Sequence, residues 1–142
     1  CNFVLNESDD LSLIETGYVD FVYSDLVLQH IALPYSEGYL REFVRVLSPR
    51  GLAVFQVIEK HGGSVAGRLS RLVPNIILEF YRRARYGRDR IEIHSLSMDR
   101  VCAAVRAAGG QVLHQEDLQG TDKRWKRKRY FVRRTADCRR LD

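Results

Sequence analysis

The feature that constrains the fold most is a pair of apolar runs, Val19–Tyr23 and Leu52–Ile58, separated by one helix-length segment. Both runs are apolar almost throughout, which is typical of strands covered on both faces in a parallel sheet. Between them, Ser36–Leu47 carries apolar residues at helical spacing, with Ser36 as the predicted N-cap and a Pro-Arg-Gly turn at its end. Strand, helix and strand with short joints form a right-handed βαβ unit, so the two strands are predicted to be parallel.

Three further apolar runs are strand candidates. Asn2–Leu5 precedes an acidic segment, so it is predicted to be a buried strand that ends in a turn. Gln111–Gln115 and Tyr130–Arg133 are the other two candidates. Alternation along the last run predicts that Tyr130 and Val132 face inward while Arg129 and Arg133 face outward.

A second helix is predicted over Met98–Ala108. Ser97 is its predicted N-cap, Asp99 is favourable in its first turn, and the Gly109-Gly110 pair closes it. The buried stripe of this helix is predicted to consist of Val101, Cys102, Val105 and Ala108.

Apolar residues between positions 65 and 80 also repeat at helical intervals. At 142 residues the chain is one domain at most, of α/β class.

The positive charge of the chain is unevenly spread. The formal net charge is +5, and a basic cluster occupies Lys123–Arg134. One interpretation is a nucleic-acid-binding module in which Trp125 and Tyr130 stack on bases. The other is a solvated face, which the strand alternation of this segment favours. The sequence leaves both open.

The composition predicts a cytoplasmic protein without a bound metal. No apolar run reaches the about 18 residues that cross a bilayer, and the first residues carry no basic leader. The three cysteines have no metal-ligand spacing, and Cys102 is predicted to be a buried thiol. Because the chain begins at Cys1, it is expected to be a fragment.

Three short segments carry a resemblance to a known family. They are Asp20–Ser24, Leu28–Ile31 and Leu47–Gly51, and their order and spacing matter more than any one of them. Together they resemble the second half of a class I S-adenosylmethionine-dependent methyltransferase. The end of the chain, with Ala108-Gly109-Gly110 and then Tyr130-Phe131-Val132, is similar to the end of that family's domain. The resemblance implies a partial Rossmann-like fold, with a mostly parallel sheet and helices on its faces.

The resemblance also implies where S-adenosylmethionine would bind. In the family, an acidic residue after the third strand accepts a hydrogen bond from the adenine amino group, and Glu7 matches that position. Ser8 matches the neighbour whose amide touches the ring, and Leu11 would pack near the adenine. The methionine part passes the end of the next strand, at Ser24 and Leu26.

The substrate side follows from the same resemblance. His30, in the Leu-Gln-His-Ile stretch, is the candidate base, because a neutral imidazole can take a proton from an attacking hydroxyl or amine. Gln29 and His94 are the substrate-side candidates. Residues 59–94 would form a variable helical insertion that builds the acceptor pocket. The expected acceptor is a small molecule.

The glycine-rich nucleotide loop of the family has no counterpart in the sequence. Residues 1–142 are therefore expected to be the C-terminal part of a single methyltransferase domain within a longer parent enzyme, and to be inactive alone. A basic nucleic-acid-binding module and a non-catalytic remnant of a methyltransferase are the alternatives.

Overall fold

The structure is a computed structural model that describes residues 1–60, 93–118 and 125–135. The predicted insertion falls mostly outside these ranges, as do Lys123 and Arg124 of the basic segment. A 3₁₀ turn covers Leu28–His30. The elements are strand β1 (Val19–Ser24), helix α1 (Leu33–Val46), strand β2 (Leu47–Lys60), helix α2 (Met98–Ala107), strand β3 (Gly110–Leu118) and strand β4 (Trp125–Arg134).

The four strands form one sheet in the order β1-β2-β4-β3. β1 and β2 are parallel, with Tyr23 opposite Val54, and helix α1 connects them. The predicted βαβ unit and α/β class are therefore confirmed. The β2–β4 and β3–β4 pairs are antiparallel. The described sheet is thus mixed rather than mostly parallel, because the chain after α2 returns as the antiparallel pair of β3 and β4.

Helix α1 begins earlier than predicted. Its N-cap is Ala32 and a proline occupies its first turn. Proline favours this position because its fixed φ suits a helix start and its missing N–H would have no partner there. Ser36 consequently lies within the helix rather than at its cap. It is buried, and its hydroxyl donates to the carbonyl of Leu33 at 3.1 Å. The prediction that Ser36 is the cap was wrong.

The Pro-Arg-Gly segment lies within β2 instead of forming a separate turn. Val19 pairs with Leu47 and Phe21 with Leu52, so β2 uses more residues than β1 between these pairs and bulges there. Gly51 permits the close approach, since a Cβ at this position would lie 2.9 Å from the carbonyl oxygen of Val19.

Two predictions about buried strands were wrong. Asn2–Leu5 forms no strand, and the side chain of Phe3 is 96% exposed. Among the described residues no strand lies beside this segment to pair with it. In β1, Phe21 and Tyr23 are 56% and 58% exposed, so this strand is covered on one face only. Both described helices contribute to a core on that one face.

The core contains three aromatic rings in a row. Phe43 of α1 lies 6.0 Å from Phe55 of β2, and Phe55 lies 5.7 Å from Tyr130 of β4, between ring centroids. Phe55 and Tyr130 are almost fully buried. The predicted inward orientation of Tyr130 and Val132 is confirmed.

Helix α2 follows its prediction closely. Ser97 occupies the N-cap position, although its hydroxyl makes no capping bond, and Asp99 lies in the first turn. Val101 and Val105 are buried, whereas Cys102 is only half-buried because it lies at the margin of the helix's buried face. Gly109 has a φ of +75°, the left-handed conformation that commonly ends a helix.

Candidate active site

Ligands of open α/β sheets bind beyond the carboxyl ends of the parallel strands. At that end of β1, Ser24 is buried and the chain turns sharply through Leu26, which has a φ of +61°. A side chain other than glycine in this conformation costs about 1–2 kcal/mol. Such strain is held by surrounding structure and concentrates at functional sites.

Two buried oxygens accompany this turn. Oδ1 of Asp25 and Oε1 of Gln29 are both inaccessible, and neither has a hydrogen-bond partner among the described residues. The other carboxylate oxygen of Asp25 accepts a long bond, 3.4 Å, from the hydroxyl of Tyr23. An unpaired buried acceptor costs about 1–3 kcal/mol. The turn after β1 therefore carries two buried acceptors for which the described residues provide no donor.

The candidate base His30 and the two substrate-side candidates, Gln29 and His94, lie close together. Nε2 of Gln29 is 2.9 Å from Nε2 of the exposed His30. The carbonyl of Gln29 accepts from the backbone N–H of His94 at 2.7 Å. Two residues on, the N–H of Leu96 donates to the carbonyl of Ile58 at 2.9 Å. The segment that carries His94 is thereby attached to both β1's turn and β2.

The acidic turn near the start of the chain, Asn6–Asp10, is organised by its own side chains. The hydroxyl of Ser8 lies 2.9 Å from Oδ1 of Asn6 and 3.0 Å from Oδ1 of Asp10, and its one hydrogen can be donated to either. The backbone N–H of Ser12 also donates to Asp10, and the hydrogen bonds from Ser12 hold the pKa of Asp10 below its ordinary value. Glu7 is exposed on this turn, so its carboxylate is accessible to a ligand.

Leu11 follows the acidic turn, and its backbone is hydrogen-bonded to helix α1. Its N–H donates to Oε2 of Glu42 at 3.0 Å, and its carbonyl accepts from a guanidinium nitrogen of Arg45 at 2.9 Å. Its side chain packs against the core. Neither contact was predicted from the sequence. Their only local signal is a Glu and an Arg three positions apart on one helix, which also describes many surface ion pairs.

The pKa of Glu42 lies below its ordinary value, mainly because Arg45 donates hydrogen bonds to it. A depressed carboxyl pKa stabilises the fold above the pKa of the unfolded chain, and that stability is lost as the pH falls through the folded pKa. We expect Glu42→Gln to reduce the loss of stability on acidification. Urea unfolding of both proteins at neutral pH and at successively lower pH measures the free energy of unfolding. An identical decrease with pH in the two proteins would contradict the stabilising role of the Glu42 carboxylate.

The basic strand β4 pairs its charges within the sheet. Arg129 contacts Glu116 at 3.0 Å, and Lys128 contacts Glu59 at 3.5 Å. Lys126 lies 3.8 Å from Asp117. These pairs lower the charge that this part of the chain presents, so the nucleic-acid interpretation gains no support from the described residues.

No group of three or more His, Cys, Asp or Glu side chains among the described residues could hold a metal ion. In the same ranges, no helix is both long and apolar enough to cross a membrane.

The sequence was compared with known families and proteins. Residues 1–55 match the family model described as a methyltransferase domain. This range contains the acidic turn, β1, α1 and the first part of β2. The comparison with curated proteins finds no match to the chain.

The fold was compared with solved structures. A SAM-dependent methyltransferase from Methanosarcina mazei aligns with a TM-score of 0.66 at 12% identity, covering 89% of this chain and 63% of that protein. Magnesium protoporphyrin IX methyltransferase from Synechocystis, with bound SAH, gives 0.59 at 11% identity, covering 84% and 46%. The 1,6-didemethyltoxoflavin-N1-methyltransferase of Burkholderia thailandensis gives 0.58 at 14% identity, covering 88% and 48%.

This chain therefore spans less than two thirds of the length of these three methyltransferases. At these identities the likeness concerns the fold. The family model adds a sequence pattern over the segment that forms the acidic turn and the βαβ unit. The predicted resemblance to the class I S-adenosylmethionine-dependent methyltransferases is confirmed by family pattern and fold.

Proposed function

We propose that this chain contributes to an enzyme that transfers a methyl group from S-adenosylmethionine to a small-molecule acceptor. The observation that carries the proposal is the turn after β1. This turn combines the strained Leu26 with two buried oxygens that have no described donor, from Asp25 and Gln29, inside the range matched by the methyltransferase model. Residues 1–142 would form the C-terminal part of the domain, and residues 59–94 its acceptor-side insertion.

The chain's residues are compatible with S-adenosylmethionine at two places. The exposed carboxylate of Glu7 can accept from the adenine amino group, with the amide of Ser8 and the side chain of Leu11 beside the ring. Ser24 and Leu26 would hold the methionine side, where the carboxylate of Asp25 can accept from an amino group. When bound, the cofactor supplies a methyl group on a positively charged sulfur.

In this proposal His30 accepts a proton from the acceptor's hydroxyl or amine as that group attacks. Gln29 would hold the imidazole ring in place. With its amide turned so that the oxygen accepts from Nε2–H of the ring, Nδ1 is the nitrogen that takes the acceptor's proton. His94, attached to Gln29 through the backbone, would contact the acceptor. Alignment of the reacting groups would supply much of the rate.

The adenine assignment is tested by Glu7→Ala in the intact enzyme. Removing the acceptor leaves the adenine amino group unpaired, so cofactor affinity is expected to fall about tenfold to a hundredfold. Turnover at saturating cofactor should change little, because adenine is held equally before and during the reaction. Calorimetry and steady-state kinetics measure the two effects. Glu7→Gln is the matched control, since it keeps an acceptor oxygen and should cost little. Normal cofactor binding by the Glu7→Ala protein would remove Glu7, Ser8 and Leu11 from the adenine site.

The parent-enzyme proposal is tested with the 142-residue chain itself. The family's glycine-rich loop has no counterpart in residues 1–142. The acidic residue that ends the family's second strand, and that would bind the ribose hydroxyls, has none either, so this chain alone should bind S-adenosylmethionine weakly. Calorimetry with the purified chain measures the affinity. A dissociation constant in the low micromolar range, on the order of −8 kcal/mol, would show that the residues present suffice.

A further inference from the structure

One face of helix α1 contacts the segment that contains the acidic turn. Tyr39, Glu42 and Arg45 are spaced by three residues, so they lie on the same side of the helix. The hydroxyl of Tyr39 is 3.4 Å from both the carbonyl of Ser8 and the side-chain nitrogen of Asn6. Helix α1 thus contacts this segment at its beginning as well as at Leu11.

Arg45 provides the largest number of these contacts. One terminal nitrogen donates to the carbonyl of Ile14 and to the hydroxyl of Thr16, each at 3.0 Å. The other donates to the carbonyl of Leu11 at 2.9 Å and to Glu42 at 2.7 Å. Nε completes a two-point contact with Glu42 at 2.8 Å. Only the planar, forked guanidinium can reach all of these acceptors at once.

Glu42 completes the arrangement at Leu11. While Arg45 binds the carbonyl of Leu11, Glu42 accepts the N–H of the same residue. Both backbone groups of Leu11 are therefore fixed by one ion pair, and both members are only partly accessible. Fixing a backbone at two points before a ligand arrives removes part of the ordering cost of binding.

We propose that Glu42 and Arg45 are positioning residues for the cofactor, because they hold Leu11 and the adjoining acidic turn in the shape that receives adenine. This inference rests on the proposed function. It predicts that the ion pair acts on cofactor affinity, through Leu11, and leaves the transfer step itself unchanged.

Amide hydrogen exchange on the 142-residue chain tests the positioning without any cofactor. In Arg45→Lys, which keeps the charge and loses the fork, the amides of Leu11 and Ile14 should exchange about tenfold faster or more. Those of Phe55 and Val132 in the core strands should not change. Unchanged exchange at Leu11, or an equal rise at Phe55, would overturn the positioning role. Glu42→Ala is the second variant, because it removes the acceptor of the Leu11 amide directly.

Arg100→Ala is the matched control. Arg100 pairs with Glu37 at 2.5 Å, so it also places a guanidinium on a carboxylate of helix α1. Within the described part of the chain, neither residue forms a hydrogen bond or ion pair with the acidic turn. Its removal should leave the exchange of Leu11 unchanged. Faster exchange at Leu11 in this control would mean that any lost ion pair on α1 loosens the turn, and the specific role of Arg45 would be withdrawn.

The functional arm uses the intact enzyme, with S-adenosylhomocysteine as the binding probe. In Arg45→Lys its dissociation constant and the KM for S-adenosylmethionine should rise about tenfold, with kcat unchanged. A purely structural role would instead lower the melting temperature and the active fraction. If the unaltered enzyme binds the probe and the variant binds it equally well, the positioning inference fails alone. If the unaltered enzyme does not bind the probe, the proposed function fails and the inference falls with it.

Discussion

Replacing His30 with alanine in the intact enzyme is expected to lower kcat by about a hundredfold to ten-thousandfold, the usual contribution of a general base. The nucleophile would then have to lose its proton to water. Binding of S-adenosylhomocysteine should stay near normal, because the cofactor contacts are assigned to other residues. Single-turnover kinetics at saturating cofactor, together with calorimetry, separate the two effects.

His114→Ala is the matched control for this prediction. His114 is also exposed, but it lies on edge strand β3 with its ring 5.6 Å from that of Phe131. The substitution removes an imidazole of similar exposure without touching the turn after β1, so kcat should be unchanged. If His30→Ala keeps full turnover, or loses turnover and cofactor binding together, the general-base assignment is wrong.

The parts of the fold that could be predicted are those whose signals are local. The apolar runs of β1 and β2, with one helix between them, predicted a parallel crossover without information from the rest of the chain. The start of α1 was missed although its signal was also local. Pro34 marks the first helical turn more strongly than Ser36 marks a cap. The helix begins where Pro34, which fixes the backbone, places its first turn, and not at Ser36.

Whether β1 is buried on both faces could not be predicted, because burial depends on what covers the strand. A continuous apolar run such as Val19–Tyr23 is compatible with helices on both faces, yet Phe21 and Tyr23 are exposed. Asn2–Leu5 has a strand-like composition, but a strand also needs a neighbour for its backbone hydrogen bonds. In the same way, no local pattern predicts that the N–H of His94 reaches the carbonyl of Gln29.

The site was accessible to sequence reasoning only through resemblance. Motif order indicated Glu7, His30 and His94, and the last two now lie on segments joined through Gln29. The residues that we propose position the candidate site were not indicated, because they contact backbone groups. Glu42 and Arg45 bind the main chain of Leu11. Because every residue type has the same backbone groups, such a contact leaves no pattern in the sequence at the residue that is bound.

Phe55→Ala is expected to lower the free energy of unfolding by about 3–5 kcal/mol, the cost of replacing a buried phenylalanine and leaving a cavity. That is a large share of the about 5–15 kcal/mol that stabilises an ordinary domain. Phe55 is 1% exposed, lies between Phe43 and Tyr130, and pairs with Ser24 at the end of β1. Its loss should therefore also disturb the turn that carries Leu26 and His30.

Tyr130→Phe is the control for this prediction, because it keeps the ring and removes only the hydroxyl. That hydroxyl is buried and has no hydrogen-bond partner among the described residues, and burial raises the pKa of Tyr130 to about 12. Removing an unpaired buried polar group should leave stability unchanged or raise it by up to about 1 kcal/mol. Urea unfolding of the 142-residue chain measures both variants. A loss below about 1 kcal/mol for Phe55→Ala would mean that the aromatic row is not the centre of this core. A large loss for Tyr130→Phe would mean that its hydroxyl has a partner in the folded protein, such as a buried water.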